Sequence, residues 1–146
     1  MKKVLIGLLS IASISSFAFH PEDGDILSNI GIGTELAITQ DINFKPNNEM
    51  IRLGNSNCYI DVKDPKGFDR VLKAGRVLKV TDTSSVYSTY YETRSQVLEV
   101  DNLHIENITC TYMKDTKGRK KRVTIGYFRS VTSGIIEIKL ADPLEI

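Results

Sequence analysis

After position 35 the chain alternates apolar and polar residues with the period of two that a half-buried strand requires. Leu36, Ile38, Ile42 and Phe44 carry the first such run, and Pro46-Asn47-Asn48 ends it. Met50-Ile51-Arg52-Leu53 predicts a short strand stopped by Gly54-Asn55, and Cys58, Ile60 and Val62 share one face of the next. Asp64-Pro65-Lys66-Gly67 predicts a turn, because proline presets one turn dihedral and glycine accepts the left-handed one. Residues 70–80 repeat Arg-Val-Leu-Lys around Ala74-Gly75, which predicts a hairpin or a strand bent at a glycine bulge. Residues 86–94, rich in Tyr, Thr and Ser, predict a strand with one wet face.

Asp101-Asn102 predicts a turn between strands at 96–100 and 104–113. Lys114-Asp115-Thr116-Lys117-Gly118 predicts a hairpin tip, with 119–122 starting the return strand. For residues 123–131 the preferred reading is a strand, since Ser130, Thr132 and Ser133 weaken a helix. The alternative is a short helix near 124–133, capped by Thr124, carrying Ile125, Phe128 and Val131, and ended by Gly134. A last strand at 135–140 closes at Asp142-Pro143. Seven to nine short antiparallel strands, with turns every eight to twelve residues, predict an all-β fold, a single small sandwich or barrel.

The amino-terminal end departs from this pattern. Met1-Lys2-Lys3 is basic, residues 4–19 carry no charge, and Ser16-Phe17-Ala18 offers the small-x-small pattern that signal peptidase recognises. Residues 1–18 therefore predict a bacterial secretory signal, too short and too serine-rich for a membrane span. Residues 19–35 predict an irregular lead-in with a short helical turn near 26–30, and residues 36–146 the β-rich domain. The expected location is the periplasm or outside the cell, with no transmembrane segment once the signal is removed.

Composition then narrows the partners. Of 19 basic residues, Lys2 and Lys3 leave with the signal, so 17 face 18 acidic ones in the mature chain. Such a balance argues against broad electrostatic capture of nucleic acid or membrane. Cys58 and Cys110 are the two cysteines, and an even pair in an exported chain predicts a disulfide, here a pin across one core.

Two stretches invite surface chemistry. Lys117-Gly118-Arg119-Lys120-Lys121-Arg122 is the densest charge in the chain; Arg119, Lys120, Lys121 and Arg122 are candidates for binding an anion or an acidic partner. Lysines at a hairpin also keep a sheet edge from pairing, which explains them without a ligand. Tyr87 and Tyr90 are candidates for stacking on a ligand; Tyr90 and Tyr91 would point to opposite faces of a regular strand, one of them into the core.

Catalytic patterns are missing. No serine lies in G-x-S-x-G, no glycine loop would cradle phosphate, and Glu22, Asp23 and Asp25 lack the ligand spacing of a calcium loop. His20 and His104 raise a copper site built from an amino-terminal amine and two imidazoles, but signal cleavage after Ala18 would leave His20 second in the chain. No cofactor is implied. The sequence reads as a non-enzymatic exported β-domain that recognises a protein or envelope component. Metal handling through His20 and His104 is one alternative reading, and an inhibitor or immunity-like protein against a secreted enzyme is another.

Overall fold

A computed structural model describes residues 21–46, 48–63 and 68–141. The expected signal at 1–18, His20, the turn at 64–67 and the closing Asp142-Pro143 lie outside the described residues. The alternating stretches form strands β1 (Glu35–Ile38), β2 (Ile42–Asn43), β3 (Met50–Arg52), β4 (Cys58–Val62), β5 (Val71–Leu72), β6 (Val77–Ser88), β7 (Thr93–Val100), β8 (Ile105–Cys110), β9 (Met113–Lys114), β10 (Lys120–Lys121) and β11 (Ile136–Lys139). A 3-10 turn, Leu27–Asn29, precedes them, and helix α1 (Ile125–Val131) lies between β10 and β11.

Seven strands make one sheet in the order β11-β1-β6-β7-β8-β4-β3, curled into a half-barrel, and all its pairs are antiparallel. The fold is all-β, as the alternation predicts. Register aligns the core residues into rows: Leu98 faces Ile108, which faces Ile60, which faces the half-buried Ile51; Leu36 lies between Leu78 and Ile138. A one-residue slip would turn each row towards water, so burial of one face fixes the pairing. Leu27, Ile30, Ile125 and Phe128 pack into the same core and are all buried. The irregular lead-in thus supplies core, not only an approach to it.

Four sequence readings need correction. Residues 123–131 are not a strand, because Ile125 and Phe128 must both reach the core and helical spacing does that; Thr124 Oγ1 caps the helix by accepting the Tyr127 N–H at 3.1 Å. The two Arg-Val-Leu-Lys copies form neither a hairpin nor one bent strand. Gly75, at φ 95°, turns the chain so that β5 pairs with β2 while β6 pairs with β1 and β7. Residues 86–94 are not one strand but a hairpin: Ser88 faces Thr93, and residues 89–92 form the loop, with Glu92 at φ 54°. Neither Tyr90 nor Tyr91 enters the core. Finally, Cys58 and Cys110 form the expected inter-strand disulfide, but as register partners on adjacent strands β4 and β8, so it staples one sheet and does not span the core.

Candidate functional site

The long β6–β7 hairpin decides where the tyrosines go. Pairing with β8 covers Gln96 to Glu99 of β7, so the hairpin beyond Gln96 projects as a two-stranded ribbon. Tyr87 stands on that ribbon opposite Arg94, and Tyr90 caps its loop with 85% of its surface exposed. The loop is braced by Ser88 Oγ, which accepts the Tyr91 N–H at 3.3 Å.

The base of the ribbon is anchored by a buried polar side chain. Gln96 is wholly buried; its Oε1 accepts the Ser28 N–H at 3.2 Å and the Ser28 hydroxyl proton, and its Nε2 donates to Ser85 Oγ at 3.1 Å. A buried amide with satisfied donors and acceptor holds one rotamer and one register. The ribbon therefore leaves the sheet at a fixed angle.

The β9–β10 hairpin brings the cations to the same place. Its register sets Lys120 opposite Lys114 and Lys121 opposite Met113. Directly opposed residues share a face, so Lys114 and Lys120 lie on one side and Lys121 on the other, with Met113, which packs against the core. Lys120 Nζ sits 5.0 Å from the Tyr112 ring centroid and donates to the Tyr91 carbonyl oxygen at 3.0 Å. Tyr91 lies 5.9 Å from Tyr112 and 4.8 Å from Tyr90, the latter pair edge to face at 88°. Burial, reinforced by neighbouring Tyr112, raises the Tyr127 phenol above its ordinary pKa, so this ring stays neutral beside the cluster.

The two stretches singled out in the sequence are thus one surface, running from Tyr90 through Tyr91 and Tyr112 to Lys120. Its membership differs from the sequence reading. Arg119 is engaged by Asp115, Nε to Oδ2 at 2.9 Å, and turns back into its own loop. Lys121 faces away. Lys114, Tyr91 and Tyr112 join, and the signal that would have found them is pairing parity across a hairpin whose tip the sequence does mark. Val86 and Tyr87, both about half exposed, lie on opposite faces of the ribbon.

The remaining candidates are dispersed. His104 lies in the turn before β8, not on a strand; its ring stacks on Phe68 at 4.9 Å, and its backbone N–H donates to Asn102 Oδ1 at 2.8 Å. Among the described residues no group of three or more His, Cys, Asp or Glu side chains is placed to hold a metal ion. Of the acidic lead-in, Asp25 Oδ2 accepts the Glu22 N–H at 2.7 Å and Asp23 pairs with Arg129 at 3.3 Å. A cavity beside His104 holds about 260 Å³ and is lined by Phe68, Leu72, Lys73, Arg76 and Asn102 among others. No helix of the described residues is long and apolar enough to cross a membrane. The chain matches no protein-family model, no curated protein and no solved structure with which it was compared.

Proposed function

We propose that this protein is an exported, non-enzymatic recognition domain of the bacterial envelope, acting through the tyrosine–lysine surface where the β6–β7 and β9–β10 hairpins meet. The observation that carries the reading is Lys120, which ties the two hairpins together through the Tyr91 carbonyl and the Tyr112 ring. Lysine held at an aromatic ring, beside a tyrosine 85% exposed, gives the surface one fixed charge and one accessible ring. Rigid aromatic anchors flanked by cations are the usual equipment of a binding patch, since tyrosine supplies contact area at low entropic cost. The disulfide is compatible with an oxidising compartment.

The test replaces Arg119, Lys120, Lys121 and Arg122 by serine and compares binding of the oxidised protein to washed envelope preparations at several salt concentrations. The variant is expected to melt near the wild type and to lose most of its retention, with the wild-type retention falling as salt rises. Equal retention of the two proteins would remove the surface from the function.

A further inference from the structure

We infer that the surface takes an acidic polysaccharide, with a sugar ring stacked on Tyr90 and its carboxylate or sulfate held by Lys114 and Lys120; this deepens the recognition reading and rests on it. The ring geometry argues for a sugar. Tyr90 is 85% exposed and meets Tyr91 at 88°, so it offers an accessible ring and the two rings form no slot between parallel faces. A pyranose has an apolar C–H face that covers such a ring while its hydroxyls stay in water. A nucleic acid would require bases stacked in succession and cations tracking a backbone. Only Lys114 and Lys120 of the β10–β9 pairing stand on the tyrosine side.

The charges argue for an anion on that sugar. Residues 113–122 hold six cations against the single carboxylate of Asp115, in a chain whose formal net charge is +1. Asp115 is turned away and occupied: its Oδ1 accepts the Lys117 and Arg119 N–H groups at 2.8 and 2.9 Å, and its Oδ2 the Arg119 Nε–H. Lys114 and Lys120, set opposite each other by register, concentrate positive charge on one face, and an anion bound there would relieve their mutual repulsion. Lys120 is already pinned by Tyr91 and Tyr112, so an incoming carboxylate or sulfate meets a fixed ammonium and little side-chain freedom is lost on binding. Sugar on Tyr90 and anion on the lysine pair therefore suit a chain of charged sugars better than either a neutral glycan or a bare polyanion.

The experiment titrates oxidised full-length protein with dextran sulfate and with polygalacturonate oligomers, using neutral dextran, inorganic polyphosphate and single-stranded DNA as comparisons. At least one charged glycan is expected to bind in a salt-dependent way and neutral dextran is not. Tyr90→Ala should weaken the glycan about tenfold and leave polyphosphate unchanged, because polyphosphate has charge and no ring. Lys114→Ser should weaken the glycan about fivefold, while Lys121→Ser on the opposite face changes it less than about twofold. All three variants should melt within about 2 °C of wild type, as surface substitutions do.

Four results would overturn the assignment: no binding of either charged glycan, no effect of Tyr90→Ala, equal losses from Lys114→Ser and Lys121→Ser, or tighter, Tyr90-dependent binding of DNA. The outcomes also separate the two proposals. A protein that retains envelope material through its cations yet ignores both charged glycans loses the ligand class and keeps the recognition role. If the four-serine variant still retains that material, the recognition role falls with it.

Discussion

Asp115 organises the basic hairpin from a single side chain. One carboxylate collects three N–H donors, from Lys117, Arg119 and the Arg119 guanidinium. The Arg119 backbone bond is the largest cause of its lowered pKa, joined by the Arg119 side chain, the Lys117 backbone and the charge of Lys121. Because the folded pKa is depressed below the unfolded value of about 3.9, the carboxylate favours the ordered loop at all pH values above that value and the contribution fades as pH falls through the folded pKa. The Lys117 and Arg119 amide resonances are expected to titrate together with a midpoint below about 3.9, and Asp115→Asn should abolish that titration. A midpoint at or above the ordinary value would mean the loop is not held by this ion. Asp61 shows the opposite sign: desolvation raises its pKa, partly countered by the Thr109 hydroxyl bond at 3.3 Å, so its charge opposes folding once pH exceeds the unfolded value.

Helix α1 shows why short elements escape a reading of sequence alone. Seven residues are too few to be stable by propensity, so the helix exists because something else holds it. That partner is the acidic lead-in a hundred residues earlier: the Ile125 N–H donates to the Asp25 carbonyl at 2.9 Å and the Gly126 N–H to the Asp23 carbonyl at 2.8 Å. The approach is close at Gly126, where a Cβ would stand 3.0 Å from the Asp23 Cβ and 3.1 Å from its carbonyl oxygen. Two of the free N–H groups of the first turn are satisfied this way, and Thr124 serves a third. Thr132 then bonds its hydroxyl to the Phe128 carbonyl at 2.6 Å, so a residue that weakens a helix in isolation here closes one. Thr124→Ala is expected to cost about 1 kcal/mol and lower the melting temperature by roughly 4 °C, with Thr124→Ser close to wild type. A melt unchanged in Thr124→Ala would show that the lead-in alone carries the helix. Strands with strict alternation, such as Cys58–Val62 and Ile136–Lys139, were legible because each face declares itself locally. Thr89–Glu92 was not, because its loop carries the same Thr and Tyr residues as a strand and turns on an exposed Glu at positive φ.

At the scale of the molecule the same division holds for the candidate surface. The basic tip was legible because Asp115 and Gly118 mark a turn inside a run of cations, whereas its meeting with Tyr91 and Tyr112 depends on how far the β6–β7 ribbon projects, which no local pattern encodes. The disulfide was legible as a pair but not as a staple, since its place in the sheet follows from the β4–β8 register. That place gives it a definite role. β8 is held by β7 on one side and β4 on the other, and β4 in turn carries the edge strand β3. Cys58 and Cys110 are both fully buried, so the bond is sealed from solvent and fixes the strand through which β3 and β4 join the rest of the sheet. With a sequence separation of 52, its closure of the unfolded chain is worth roughly 4 kcal/mol in the chain-entropy account. A domain of this size has a total stability of about 5–15 kcal/mol, so the disulfide supplies a substantial share of it. Cys58→Ala/Cys110→Ala is expected to lower the urea midpoint by an amount equivalent to roughly 4 kcal/mol, and native protein should show no labelled thiol. A loss under about 1 kcal/mol would mean that strand pairing alone holds β4 to β8 and that folding does not depend on oxidation. The larger loss would tie completion of the sheet to an oxidising compartment, the setting in which the tyrosine–lysine surface is proposed to act.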